Sequence, residues 1–166
     1  MDLLELRNKQ EPLKEKYRQN PAAALVTLKA TSHIGAGINC KIETGKMLAE
    51  AGLHPATGGD GLSVCSGDML LEALAACAGV TLKAVATSIG FHLSDAHVHV
   101  EGDLDFRGTL SVDRNAPVGF KDIRLRFQLD TDEPQEKIGT LIKLTERYCV
   151  VYQTLVNANA IHVSII

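Results

Sequence analysis

The stretch SGDMLLEALAACAGVTLKAVA, residues 66–86, decides the fold. Ser66 can cap a helix, and Asp68 then falls in the first turn, where the helix macrodipole favours negative charge. The segment Gly67–Ile89 reads as one helix, ended by Gly90. Only Glu72, Thr81 and Lys83 interrupt its middle, so it is apolar on nearly every side and is expected to be buried over most of its surface. Ala73, Ala75, Ala76, Ala78 and Gly79 let other elements approach its backbone closely. One sheet covers one face of such a helix. The other face needs a partner, and an obligate homodimer is the expectation.

Outward from this helix the pattern changes period. Upstream, Ala22–Thr31 and Ile38–Glu43 alternate as strands around Gly35-Ala36-Gly37 and form a hairpin. Residues 2–20 read as a charged helix with Leu3, Leu4, Leu6, Leu13 and Tyr17 as its apolar contacts, broken or restarted at Pro12 and ended by Pro21. Residues 44–66 are irregular, with four glycines and a proline in GLHPATGGDG. Downstream, His97–Gly108 alternates as a strand with a bulge at Gly102, and Phe120–Leu129 alternates more cleanly. Pro134–Leu155 is a second helical region that kinks or restarts near Arg147–Val150, and Ala160–Ile166 is a short closing strand. The order specifies an α+β fold, with residues 1–166 as a single domain.

Composition narrows the function. The 166 residues are 45% hydrophobic and 22% charged, enough for a real core and close to the globular average. A net charge of −3 argues against a nucleic-acid backbone as partner, which calls for a basic surface. Aromatics are sparse, with no Trp, so a base-stacking platform is not expected. The apolar run around Leu70–Val80 is interrupted and shorter than the roughly 20 residues that cross a bilayer. The N-terminal stretch carries charge throughout and lacks the apolar region of a signal peptide. A soluble, cytoplasmic protein without a membrane partner is the reading.

Four cysteines, Cys40, Cys65, Cys77 and Cys149, show no CxxC pair and no metal-ligand spacing. In a reducing compartment they are buried thiols or redox chemistry. Cys77 and Cys149 lie 72 residues apart, so only the fold can pair them. On pattern alone each is more often a small core hydrophobe than a nucleophile.

The joint occurrence of SGDMLLEALAACAGVTLKAVA and, some seventy residues later, LTERYCVVYQTL resembles the OsmC/Ohr superfamily, the osmotically inducible and organic-hydroperoxide-resistance proteins. The resemblance spans about residues 22–166. It implies a dimer in which two antiparallel sheets wrap around a pair of long central helices. It also implies a thiol-dependent peroxidase in which Cys77 is peroxidatic and Cys149 resolving, with an organic hydroperoxide and a dithiol reductant as substrates and no cofactor or metal. The physical demands are a depressed thiol pKa, a donor for the leaving alkoxide and an apolar funnel for the organic tail.

One departure matters. Peroxidase members of the superfamily pair a hairpin Arg with a Glu at the start of the central helix. Here no Arg occurs between Arg18 and Arg107, the hairpin offers His33, and the acidic position is Asp68. Asp68 precedes Cys77 by nine residues, about 13 Å along a helix axis, so its role would be to hold a cation against the thiol. His33 is the first candidate for that cation and Arg107 the second. The rival reading is a non-catalytic or small-ligand-binding relative that keeps fold and cysteines.

Other constellations are weaker. His97 and His99 share one face of a strand and could chelate a metal, but a third ligand is missing at useful spacing, which favours an ordinary strand pair. The loop His54–Gly61 lacks the Lys and preceding strand of a phosphate loop. It reads as a surface loop or as cover for the thiols. Cys65 sits at the start of the central helix, either inert or an additional redox thiol, and Cys40 alternates with Lys41 on a strand as a core residue.

Overall fold

Alternating side chains make the sheet, and one apolar helix gives it something to cover. The computed structural model describes residues 3–34, 40–43, 52–62 and 64–165, and their side chains over 8–27, 52–62 and 64–165. Helix α1 spans Leu3–Gln19, followed by strands β1, Leu25–Ile34, and β2, Cys40–Glu43. The long helix α2 runs Ser66–Ser88. Strand β3 covers Asp95–Asp105, the short helix α3 Phe106–Thr109 and strand β4 Phe120–Asp130, before α4, Gln135–Tyr148, and α5, Val150–Val156.

The strands form one antiparallel sheet in the order β2-β1-β3-β4. Residues on β3 alternate between half-buried and buried, with Ala96, Val98 and Val100 inward. Helix α2 packs on that inner face against β1, β2 and β3, with α4 and α5 against the helix. Two apolar clusters follow α2 along its length. One holds Leu71, Leu74, Ala75 and Ala78 with Val98, Val100 and Phe106. The other holds Leu82, Val85 and Ala86 with Phe91, Ala96 and Leu141.

The α+β expectation holds, and so do the hairpin, the third and fourth strands and the restart in the second helical region. Several details differ. The N-cap of α2 is Cys65, without a side-chain cap bond, and Ser66 is already helical. Gly90 follows the helix at φ +64, a left-handed terminator. Helix α1 runs through Pro12 without a break. The strand irregularity falls at Asp103/Leu104, because Gly102 is used otherwise: a Cβ there would lie 2.5 Å from the Phe120 ring. Residues 160–165 are not a strand, and Val163 and Ile165 are 90% and 100% exposed, so among the described residues this segment has no neighbour to pair with.

By length and composition α2 would pass as a membrane span, against the expectation that its apolar run is too short. Its packing between the sheet and α4–α5 instead makes it a core helix. One stripe of it remains uncovered, with Met69, Leu70, Ala73 and Val80 exposed at helical spacing.

Candidate functional site: a thiol pair at a helix break

The second helical region breaks at one residue. Cys149, with extended φ −72 and ψ 106, ends α4 and precedes α5. Its own N–H donates to the Thr145 carbonyl at 2.9 Å, while its carbonyl accepts from the Gln153 N–H at 2.9 Å. A new helix start exposes N–H groups that have no intrahelical acceptor. Here sulfur atoms take them. The N–H groups of Val150 and Val151 reach Cys77, and those of Tyr152 and Val151 reach Cys149.

Cys77 itself is half-buried in the middle of α2 and packs against the first apolar cluster. Burial alone would push its thiol up. Hydrogen bonds from the Val151 N–H, the Cys149 thiol, the Thr81 hydroxyl and the Val150 N–H outweigh burial and hold Cys77 below the ordinary thiol value. Cys149, 1% exposed, is pushed up to about 11, by burial first and then by the hydrogen bond it gives Cys77 and the charge there. The pair is therefore asymmetric, with one sulfur favoured as thiolate and its neighbour kept as the proton donor.

Asp68 lies in the first turn of α2, its carboxyl raised by burial and drawn back down by His54. His54 has the mirror behaviour, lowered by burial and raised by Asp68. Its Nδ1 accepts the Ala56 N–H at 3.0 Å, and its ring stacks on Phe106 at 4.9 Å between centroids. One turn on, Glu72 is raised by burial and by Asp68. The glycine-rich loop serves this arrangement. Tyr17 donates to the Ala56 carbonyl at 2.7 Å and Gln10 to the Thr57 carbonyl at 3.0 Å, tying the loop to α1. Gly59 is required, since a Cβ would stand 1.7 Å from the Leu53 carbonyl oxygen.

The structure brings Cys77 and Cys149 together and sets the other expected residues elsewhere. Arg107 is gripped by the buried Asp105, with Nη2 2.6 Å from Oδ2, and reaches Asp113 at 3.4 Å. No cation acts on Cys77 among the described residues. His33 pairs in register with His97, and its side chain lies outside the described residues. So does that of Cys40, which pairs with Ile34. Cys65 is half-buried at the α2 N-cap. His97 and His99 stack with ring centroids 6.2 Å apart on the outer face. Among the described residues no three His, Cys, Asp or Glu side chains meet as a metal cluster.

Sequence reasoning missed Thr81, His54 and the α5 N–H groups. The last were signalled by the restart near Arg147–Val150, since a restart is also a source of free donors. Beside α5, Leu74, Phe120, Ile123, Leu125, Tyr152 and Leu155 line an open groove of about 270 Å³.

The family pattern described as OsmC-like protein matches residues 58–165, which include both thiols and the break between α4 and α5. The chain belongs to the OsmC-like family. Its fold is similar to the crystal structure of an OsmC-like hydroperoxide resistance protein from Jannaschia sp. CCS1, with a TM-score of 0.58. That similarity covers 83% of this chain and 91% of the other at 18% identity, a likeness of fold. No curated protein matches the sequence.

Proposed function

We propose that this OsmC-like chain is a thiol-dependent peroxidase that reduces organic hydroperoxides, with Cys77 peroxidatic and Cys149 resolving. The observation that carries the reading is the asymmetric thiol pair, Cys77 held below its ordinary value and Cys149 raised to about 11. The Cys77 thiolate attacks the terminal peroxide oxygen, the O–O bond breaks, and the alkoxide leaves as an alcohol after taking a proton. Cys77 is then a sulfenic acid. Cys149 attacks its sulfur, water departs, and a disulfide joins α2 to the start of α5. A dithiol reopens it by exchange, becoming a disulfide itself. The groove beside Tyr152 supports an apolar tail on the substrate.

The Cys149 thiol can also give the alkoxide its proton; Cys149 then attacks the sulfenic acid as a thiolate, and the departing hydroxide takes a proton from solvent to leave as water, which supports a reaction without a cation at the thiol. The uncovered stripe of α2 and the exposed Ile161, Val163 and Ile165 support a homodimer. Because the cycle needs free thiols, a reducing compartment such as the cytoplasm is its setting.

The test is steady-state consumption of cumene hydroperoxide with dihydrolipoamide or dithiothreitol as reductant. Cys77→Ser should abolish turnover. Cys149→Ser should retain one burst of alcohol and accumulate the sulfenic acid. Absence of turnover in the reduced wild type with either dithiol overturns the reading in favour of a ligand-binding relative, for which the same groove supplies the site.

A further inference from the structure

The break at Cys149 sets hydrogen-bond donors free, and the same break leaves carbonyls behind. In a continuous helix the N–H groups of Val150, Val151 and Tyr152 would close on the carbonyls of Glu146, Arg147 and Tyr148, four residues back. Here Val150 and Val151 give theirs to Cys77, and Tyr152 gives its own to Cys149. Helical bonding resumes at Gln153, whose N–H reaches the Cys149 carbonyl at 2.9 Å. Three carbonyls at the end of α4 thus lose their helical donors. Arg147 and Tyr148 are exposed, where water can serve their carbonyls, but Glu146 is half-buried.

The Gln153 side chain fills that place. Its Nε2 donates to the Glu146 carbonyl at 2.9 Å, reaching back seven residues across the break. Asn157, one turn further on, donates from Nδ2 to the Gln153 Oε1 at 3.2 Å and to the Gln153 carbonyl at 2.7 Å. With the amide oxygen taken by Asn157, the amide nitrogen is left facing α4, so the contacts fix which way the amide points. Cys149 makes no side-chain cap bond to α5, and the tie across the break falls to Gln153.

We propose that Gln153 is the positioning residue of the thiol pair: its amide occupies the Glu146 carbonyl and so keeps the Val150 N–H directed at the Cys77 sulfur. Without that amide, the Glu146 carbonyl is the ordinary helical acceptor for Val150. An unmet half-buried carbonyl is costly, so the chain gains by closing α4 onto Val150, and Cys77 loses a donor. The effect on sulfur is indirect, because the amide acts on a carbonyl. The inference rests on Cys77 being the reactive thiol of the proposed peroxidase, and it adds the residue that aims a donor at that thiol.

The experiment follows iodoacetamide alkylation of Cys77 against pH in the reduced full chain, by mass spectrometry of its tryptic peptide. Gln153→Met removes the donor at similar length, and Gln153→Ala removes it with the best helix former, so either folded variant carries the test. Far-ultraviolet circular dichroism checks the fold. In both variants the Cys77 profile should move to higher pH, and the neutral-pH rate should fall by about 3- to 10-fold, the effect of one lost hydrogen bond. Thr154→Ala is the control: it removes a bond within the same helix, to the Val150 carbonyl at 2.8 Å, and should leave the profile in place. A folded Gln153 variant that melts lower yet alkylates along the wild-type profile overturns the proposal. So does an equal shift from Thr154→Ala, or a wild-type Cys77 no more reactive than a free cysteine. Turnover of cumene hydroperoxide by the wild type judges the peroxidase reading separately, and its absence leaves the alkylation result standing.

Discussion

The Cys149 thiol donates a hydrogen bond to the Cys77 sulfur. Together with the α5 N–H groups on Cys77 and the burial of Cys149, it ranks the two thiols without recourse to a cation. Stabilising negative charge on one sulfur and holding the proton on the other are the same interaction seen from its two ends.

The ranking has a pH signature. A thiol held below its ordinary value is thiolate at pH values where a free cysteine is still protonated. Alkylation of Cys77 by iodoacetamide should therefore rise and level off at lower pH than for a cysteine in an unfolded peptide. Cys149 should stay unreactive until pH approaches about 11. Mass spectrometry of the two tryptic peptides across pH 5–11, a range that brackets the ordinary thiol value of about 8.5, checks both.

Thr81 is the side chain to remove. Thr81→Ala deletes one hydroxyl bond to Cys77 while preserving the helix. With a hydrogen bond contributing about 1 kcal/mol, neutral-pH alkylation of Cys77 should slow by about 3- to 10-fold. Arg107→Ala should leave that rate unchanged, because its guanidinium is bound to Asp105 and Asp113. A larger effect from Arg107 than from Thr81 sinks activation by hydrogen bonding alone.

Arg107→Ala should act on stability instead. The Arg107 guanidinium, by hydrogen bonding to Asp105, holds that carboxyl below the usual range despite burial. A depressed carboxyl contributes stability that is fully present above its ordinary value of 3.8 and is lost as pH falls below that toward its folded value. The variant should melt lower at neutral pH, and the difference from wild type should shrink on acidification through that window. Thermal scans at several pH values measure it.

Leu71 is fully buried at the meeting of α2 with β3 and Phe120. Leu71→Ala should destabilise by about 2–5 kcal/mol through lost burial and the cavity left behind. Urea denaturation of wild type and variant at equal protein concentration reads this directly.

Met69 and Val80 lie on the uncovered stripe of α2. Charge placed there, as in Met69→Glu/Val80→Glu, should convert a homodimer into a monomer in sedimentation velocity. A wild-type chain that already sediments as a folded monomer at micromolar concentration rules out the obligate dimer.

Much of this is legible in the residues, and what is not has physical reasons. The period of Phe120–Leu129 marks β4 to within one residue, and the apolar circumference of 67–89 marks the central helix to within one residue at each end. Periodicity reports burial, however, and says nothing of who donates to whom. Attention to the interior of α2 finds no free N–H near Cys77, which is correct for that helix. The donors come from α5, which only tertiary packing brings alongside. Arg107 is a reasonable cation on charge alone, and its capture by Asp105 two residues away is a local contact that charge counting passes over. The segment 160–166 has a strand's alternation, but a strand also needs an edge to pair with, and that is absent from the pattern of a single segment.

The division of the core along α2 has a consequence for how freely the sequence can drift. The thiol pair belongs to the cluster around Leu74 and Phe106, whereas Leu82, Val85, Phe91 and Leu141 form a cluster that contains no thiol among the described residues. Substitutions that repack the second cluster at constant volume change the robustness of the scaffold and leave the sulfur geometry to the first. The molecule is thus modular within a single helix: one half can be retuned for temperature or expression while the other keeps its reactivity. A library confined to the second cluster is the natural starting point for a hardened variant.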